Sequence, residues 1–186
     1  MLTVLFVCTG NICRSPLAEG FLADRSRRLP DGAVRVRSAG TWARGGDPPV
    51  PESILVARER GVDISGQECA PLTAQELDGA DLIVAMAEEH REQIVQLDPQ
   101  AAVRTFTLEE LASILAAMGP ANGDGVRARL AEAHLRRGPQ HGGDVRDPLG
   151  LGIETYRDVG RQIETAVDAV VTGLFGVGEA PRAAEA

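Results

Sequence analysis

The sequence contains no lysine, so arginine provides all 19 of its basic side chains. Aspartate and glutamate number 27, which gives a formal net charge of −8 at pH 7. Because nucleic acids and anionic membranes attract basic surfaces, we expect neither to be a main partner of this acidic protein. The three histidines are scattered along the chain. We therefore predict no metal site and no cofactor.

Cysteines and aromatic residues are few, and long apolar runs are missing. Three cysteines, an odd number, do not make the disulfide framework of a secreted protein. No apolar run approaches the roughly 20 residues that cross a bilayer, and the first residues lack the basic flank of a signal peptide. Aromatic residues make up 3%, so aliphatic side chains must fill the core. We expect a cytoplasmic protein with reduced thiols.

The chain does contain a regular alternation of apolar segments and helical patterns. Residues 2–7 and 82–87 are continuous apolar runs, as expected for parallel strands that are covered on both faces. Residues 33–39 alternate in the manner of a strand, and a shorter strand is expected around 103–106. We predict an α/β fold with a doubly wound, four-stranded parallel sheet and helices on both faces.

The length of 186 residues corresponds to one domain. We predict a single domain over residues 1–176 and a disordered tail over 177–186. Residues 118–143 have glycines and prolines at both ends and an arginine-rich middle with the composition of a solvated helix. We interpret this segment as a flexible insertion, with a lid or a partner surface as the alternatives. An apolar stripe from Ile153 to Leu174 predicts the last helix.

The most informative stretch is Cys8–Ser15, which joins the first strand to the first helix. Ser15 is a suitable N-cap residue, and Pro16 suits the first helical position. A tight loop before a helix N-terminus directs unpaired backbone N–H groups at one point, where they can bind an oxyanion. We predict that phosphate binds to this loop after the first strand, at Thr9, Gly10, Asn11, Ile12, Cys13, Arg14 and Ser15.

Two side chains give this loop a chemical role. Cys8 lies at its start, where the local positive field favours the nucleophilic thiolate over the thiol. Arg14 carries a planar guanidinium, which can bind two oxygens of one phosphate. Together they predict a phosphate site with a nucleophile at its base. The alternative is a buried cysteine that only fills space, with an arginine at this spacing by chance.

The loop resembles the signature of the low-molecular-weight protein tyrosine phosphatases. Further similarity lies, in order along the chain, at residues 38–41, 61–65, 80–86 and 147–150. The sequence is close to the bacterial tyrosine and arginine phosphatase branches of that family. This resemblance implies a phosphoprotein phosphatase that acts on phosphotyrosine, with a phosphorylated protein as its partner.

Asp147 is the candidate proton donor. It precedes Pro148, which restricts the aspartate backbone to extended conformations and thereby sets the direction of its carboxyl group. An Asp-Pro pair also occurs at helix entries, but here it accompanies the cysteine loop. We hypothesise that the Cys8 thiolate attacks phosphorus while Asp147 protonates the leaving oxygen, and that water then hydrolyses the phosphocysteine. Asp144 is a further candidate for the acid.

The resemblance also implies supporting roles. Ser15 is expected to donate its hydroxyl to the thiolate, and Asn11 to hold the loop through a hydrogen bond with Ser38. Family members commonly have a histidine in this network where the present chain has Gln67, which cannot titrate. Cys13 is expected either to capture an oxidised nucleophile as a reversible disulfide or to pack within the loop.

Substrate choice is expected to depend on residues beside the phosphate site. Trp42, the only tryptophan, is a candidate wall for an aromatic ring, with packing as the alternative role. Leu149 lies where many family members have a second aromatic residue. The arginine phosphatases of the family typically have threonine at the position of Ile12, and an apolar side chain there disfavours a guanidinium. We therefore favour phosphotyrosine over phosphoarginine as the substrate.

Two other functions are compatible with such a loop. Thioredoxin-coupled arsenate reductases share the fold and the loop, but they relay a disulfide through two further cysteines close together, and Cys69 has no such companion. A non-catalytic phosphate-binding module needs neither a nucleophile nor a proton donor. The presence of both Cys8 and Asp147 therefore favours an enzyme.

Overall fold

The computed structural model describes residues 1–123, 125–138 and 143–176. Within these residues, four parallel strands form one sheet in the order β2-β1-β3-β4. The strands are β1 Leu2–Cys8, β2 Val34–Gly40, β3 Leu82–Ala85 and β4 Thr105–Thr107. The predicted four-stranded parallel sheet is therefore confirmed.

Helices connect the strands and follow the last of them. They are α1 Arg14–Ser26, α2 Pro51–Arg58, α3 Ala74–Asp78, α4 Glu88–Leu97, a 3-10 helix Pro99–Arg104, α5 Leu108–Met118, α6 Val126–Leu135 and α7 Ile153–Phe175. Across the described residues, no helix has both the length and the apolar content needed to cross a membrane.

The sheet is buried on both faces. Along β1, Val4 and Phe6 belong to a large apolar cluster that includes side chains of α1, α5 and α7. Leu5 and Val7 point to the opposite face and pack in a smaller cluster with Ile94 of α4. This arrangement explains why the sequence of β1 is continuously apolar. It also places the last residue of this central strand at the edge of the sheet where parallel α/β proteins bind ligands.

Helix termini follow the local sequence signals, with one exception at α1. The hydroxyl of Thr73 accepts the backbone N–H of Glu76 at 3.2 Å and thereby caps α3. The prediction that Ser15 caps α1 is wrong, because the helix begins at Arg14 and its N-cap residue is Cys13. The Ser15 hydroxyl instead bonds to groups of the preceding loop. The β4 strand also begins later than predicted, because the 3-10 helix extends to Arg104.

The segment predicted as an insertion contains helix α6. Arg129 and Ala133 of this helix are buried, and Arg129 donates to the carbonyl oxygen of Gly119. After the helix, Arg137 donates to the carbonyl oxygens of Ala102 and Thr105 beside β4. The segment thus contacts the 3-10 helix and β4 through Arg137, while its flexibility stays a prediction. Residues 124, 139–142 and the predicted disordered tail lie outside the described part of the chain.

Candidate active site

Cys8 lies at the end of β1, where the chain leaves the sheet and turns towards α1. Its side chain is buried, and its Sγ atom lies 3.0 Å from the Ser15 hydroxyl. The backbone N–H groups of Thr41 and Trp42 donate to the carbonyl oxygens of Cys8 and Thr9, both at 2.9 Å. The segment after β2 therefore holds the first turn of the loop.

The loop is tightly curled around Asn11. This residue has φ +55°, a conformation that asparagine tolerates better than most other side chains. Its Nδ2 donates to the hydroxyls of Ser15 at 2.9 Å and Ser38 at 2.8 Å. Its Oδ1 accepts the backbone N–H of Ala70 at 2.8 Å. One buried side chain thus joins the loop to α1, β2 and the segment before α3.

The close approach of β2 to the loop depends on a glycine. A Cβ atom at Gly40 would lie 2.6 Å from the carbonyl oxygen of Thr9 and 2.9 Å from the backbone nitrogen of Asn11. On the other side of the loop, the backbone N–H of Val50 donates to the carbonyl oxygen of Ile12 at 2.9 Å. The N–H groups of residues 9–13 have no acceptor among the described residues, so they remain available to an anion.

Arg14 lies inside the protein, with only 3% of its surface exposed. Its Nη1 donates to the carbonyl oxygen of Val145 at 3.0 Å, and its Nη2 donates to Asp147 Oδ2 at 2.6 Å and to Thr9 Oγ1 at 3.3 Å. The buried Nε has no hydrogen-bond partner within the described ranges. The structure therefore brings the predicted phosphate ligand and the predicted acid into direct contact.

Asp147 itself is partly accessible, with 46% of its side chain exposed. Its Oδ1 accepts the backbone N–H of Leu149 at 3.1 Å, which helps to orient the carboxyl group. Asp144, the further candidate for the acid, instead accepts the backbone N–H of Glu88 at 2.9 Å. Of the two carboxyl groups, only that of Asp147 contacts the arginine of the loop.

Comparisons with known proteins identify the family of this chain. The sequence model of the family described as low molecular weight phosphotyrosine protein phosphatase matches residues 3–124, about two thirds of the chain. The chain belongs to this family. Its members are hydrolases that act on phosphorylated proteins, so the phosphatase activity predicted from the loop is confirmed at the level of the family.

Some relatives of this phosphatase are named as tyrosine phosphatases and others as arginine phosphatases. A probable low molecular weight protein-tyrosine-phosphatase EpsP from Ralstonia solanacearum is 38% identical, over 95% of this chain and 98% of the relative. A protein-arginine-phosphatase from Geobacillus stearothermophilus is 31% identical, over 92% and 95% of the two chains. The solved structure of a low molecular weight protein tyrosine phosphatase from T. tengcongensis superimposes with a TM-score of 0.72. It is 32% identical and covers 92% of this chain and 98% of that one.

His90 of the phosphatase also lies at the site, although it was not predicted from the sequence. This histidine lies in the first turn of α4, is 1% exposed, and has its Nε2 2.9 Å from Thr9 Oγ1. Burial, and next the positive charge of Arg14, lower the pKa of His90 to about 4. The imidazole is therefore neutral at physiological pH. Its position just after the third strand, at the ligand-binding edge of the sheet, was the available sequence signal.

We expect His90 to make the folded phosphatase less stable in acid. An unfolded chain takes up a proton on histidine near pH 6.5, whereas folded His90 stays neutral down to about pH 4. The contribution of His90 to the free energy of unfolding is therefore fully present above the pKa of the unfolded chain and is lost as the pH falls. At pH 5 the free energy of unfolding is lower by about 2 kcal/mol. Urea unfolding of the wild type and His90→Gln at pH 7.5 and pH 5 measures this. Equal losses in the two proteins would contradict the assignment.

The network behind Asn11 ends at Glu19. Ser38 donates its hydroxyl to Glu19 Oε2 at 2.5 Å, and burial raises the pKa of Glu19. Gln67, which stands where a histidine is common, has a buried Oε1 without a hydrogen-bond partner among the described residues. The contact predicted between Asn11 and Ser38 is therefore present, and Gln67 Oε1 adds no hydrogen bond to it.

Cys13 lies on the inner side of the loop. Its Sγ atom is 3.8 Å from the Tyr156 hydroxyl of α7, and burial raises the pKa of the Cys13 thiol to about 11. At neutral pH this sulfur is therefore a thiol. All three cysteines are free, so a disulfide between Cys13 and Cys8 stays a prediction.

Two exposed apolar side chains lie on segments next to the loop. Trp42 is 76% exposed and its backbone N–H donates to the carbonyl oxygen of Thr9, so its side chain is not buried in the core. Leu149 is 56% exposed and follows the Asp147-Pro148 pair.

In the parts of the chain that the structure describes, no cluster of three or more His, Cys, Asp or Glu side chains could hold a metal ion.

Proposed function

We propose that this chain hydrolyses phosphotyrosine in proteins through a phosphocysteine intermediate on Cys8. The observation that carries this proposal is the contact between Arg14 and Asp147, 2.6 Å apart in space and 133 residues apart in sequence. It supports a site in which one side chain binds the phosphate and the other handles the proton. The alternative of a binding module without turnover gives no role to this pairing.

In the first step, Cys8 Sγ attacks phosphorus and the bond from phosphorus to the tyrosine oxygen breaks. Asp147 gives its proton to that oxygen, so the product leaves as a neutral phenol. The loop N–H groups and Arg14 bind the other phosphate oxygens and stabilise the charge that develops on them. The unpartnered Nε of Arg14 supports this role, because a buried donor without an acceptor is costly unless a ligand supplies one.

In the second step, water attacks phosphorus and the bond to Sγ breaks. The Asp147 carboxylate accepts a proton from the water, and the sulfur leaves as a thiolate. Ser15 is placed to stabilise that thiolate. The Ser15 oxygen accepts a hydrogen bond from Asn11 Nδ2, because an amide nitrogen can only donate. The hydroxyl proton of Ser15 is therefore free to donate to Cys8 Sγ, 3.0 Å away. Each cycle thus returns the free enzyme and inorganic phosphate.

Relatives named for either substrate match the chain, so similarity alone does not decide between phosphotyrosine and phosphoarginine. We base the preference for phosphotyrosine on Ile12. Ile12 is partly buried and packs against the main apolar cluster. An aliphatic side chain offers no hydrogen-bond acceptor to the N–H groups of phosphoarginine, whereas it can contact an aromatic ring. The exposed Trp42 and Leu149 would provide further apolar surface for that ring.

Substitution of Ile12 tests this preference. For peptides that differ only in the phosphorylated residue, we expect kcat/KM for phosphotyrosine to exceed that for phosphoarginine by about tenfold or more. Ile12→Thr should reduce this ratio by about tenfold, because the hydroxyl adds an acceptor. Ile12→Val is the matched control, since it has the shape of threonine without the hydroxyl. Faster release of phosphate from phosphoarginine by the wild type would contradict the preference.

We further propose that the protein acts in the cytoplasm. The three free cysteines support a reducing compartment, since a buried nucleophilic thiol must stay reduced to react.

A further inference from the structure

We propose that Asp144 is a positioning residue for the reaction. The acid loop, defined here as residues 144–150, carries Asp147. In this proposal Asp144 ties the start of the loop to helix α4, so that the acid stays in place when Arg14 turns to the phosphate. The inference rests on the proposed function, in which Asp147 is the proton donor.

The first of these contacts joins the acid loop to the start of helix α4. Asp144 Oδ1 accepts the backbone N–H of Glu88 at 2.9 Å, although the two residues are 56 positions apart in the sequence. Helix α4 begins at Glu88, and its N-cap residue, Ala87, has no side chain that could accept a hydrogen bond. The N–H groups of a first helical turn lack partners within the helix. Asp144 therefore supplies the cap that the local sequence lacks, and the helix dipole favours its negative charge.

A second hydrogen bond fixes the neighbouring residue. The backbone N–H of Val145 donates to the carbonyl oxygen of Met86 at 2.8 Å, and the Val145 side chain is buried in the main apolar cluster. Asp144 and Val145 thus attach the acid loop to the junction between β3 and α4. Asp147 follows only two residues later, so a shift of this attachment would move its carboxyl group.

The third attachment of the loop is one that the reaction itself disturbs. Arg14 donates to the Val145 carbonyl oxygen and to the Asp147 carboxylate. When a phosphate binds, the same guanidinium must turn its donors to the phosphate oxygens, and the contact with Asp147 weakens. From that point, the bonds of Asp144 and Val145 to the β3–α4 junction hold the acid. Of these two bonds, only that of Asp144 is made by a side chain, so it is the one that a substitution can remove.

The leaving group distinguishes positioning of an acid from general damage. Phenyl phosphate needs a proton on its departing oxygen, whereas 4-nitrophenyl phosphate leaves as a stable anion and needs it much less. We would measure kcat/KM for both substrates, because this constant reports the step that releases the phenol. Asp147→Asn should lose about 100-fold with phenyl phosphate and much less with 4-nitrophenyl phosphate. That result tests the proposed acid by itself.

Asp144→Ala should show the same pattern on a smaller scale. We expect a loss of about tenfold with phenyl phosphate and about twofold with 4-nitrophenyl phosphate, since small misplacements of a catalytic group are costly. Asp144→Asn keeps an acceptor oxygen and should stay within about twofold of the wild type with both substrates. Adding Asp144→Ala to Asp147→Asn should cause no further loss. Inhibition by inorganic phosphate should be unchanged in Asp144→Ala, because the phosphate loop is intact.

Asp98→Ala is the matched control for loss of a helix cap. Asp98 accepts the backbone N–H of Gln100 at 2.9 Å at the start of the 3-10 helix. Its replacement should leave kcat/KM for both substrates unchanged.

Equal losses with both substrates in Asp144→Ala, or none, would overturn the inference while the Asp147 result upholds the proposed function. An additional loss in the double variant would overturn it as well. If Asp147→Asn shows no dependence on the leaving group, the proposed acid is wrong and the positioning role falls with it.

Discussion

Cys8→Ser is expected to reduce the hydrolysis of aryl phosphates by about 10⁴-fold or more, because a serine hydroxyl at this position is a far weaker nucleophile than a thiolate. The substitution is nearly isosteric and keeps the contact with Ser15, which lies 3.0 Å from the sulfur in the wild type. We therefore expect the variant to fold and to bind inorganic phosphate with an affinity close to that of the wild type. Phosphate release and isothermal titration calorimetry measure the two quantities.

Cys69→Ala is the control for this experiment. Cys69 is also buried and free, but its side chain is not part of the proposed site. This variant should retain the turnover of the wild type. In the wild type, acid quenching during turnover followed by mass spectrometry should find phosphorus on Cys8. Turnover by Cys8→Ser at the wild-type rate would exclude the covalent mechanism.

Arg14→Lys should lower kcat/KM for aryl phosphates by about 100- to 1000-fold, although it keeps the positive charge. The guanidinium donates at once to Val145, Asp147 and Thr9. A single ammonium cannot reach these separate acceptors in the same fixed geometry, nor can it bind two phosphate oxygens in parallel. Kinetics with 4-nitrophenyl phosphate and the inhibition constant of inorganic phosphate are the measurements.

Arg60→Lys offers a comparison with an arginine that has only structural contacts. Arg60 donates to Glu164 at 3.2 Å and to the carbonyl oxygens of Val56 and Arg157 at 3.0 and 3.1 Å. Its replacement should lower the melting temperature and leave kcat/KM unchanged. If Arg14→Lys retained full activity, charge alone would be sufficient and the proposed two-oxygen binding would be wrong.

The sheet could be predicted from the sequence because its signals are local. Continuous apolar runs mark β1 and β3, and the apolar stripe from Ile153 to Leu174 marks α7. The cysteine loop could also be predicted, since Cys8 and Arg14 lie within one short segment. Each of these predictions depends on residues that are neighbours along the chain.

Features that depend on distant partners could not be predicted in the same way. Ser15 has the composition of a cap, but its hydroxyl bonds to Cys8 and Asn11 once the loop curls. His90 forms a hydrogen bond with Thr9, which is 81 residues away, and no sequence pattern predicts this pairing. The cap that Asp144 provides for α4 is likewise invisible to a search for a capping residue just before the helix.

The anchoring of Asn11 has a consequence for the order of folding. Its partners Ser38 and Ala70 are 27 and 59 residues away, and two partners of Arg14, Val145 and Asp147, are more than 130 residues away. Contacts between such remote segments form late, since long chain loops must close first. The hydrogen bonds of Asn11 need only the first 70 residues, but the contacts of Arg14 with Val145 and Asp147 form only when most of the chain is in place. We therefore expect a refolding molecule to regain its enzymatic competence at the end of the process, and a nascent chain that lacks its last third to have none, because Asp147 is missing from it.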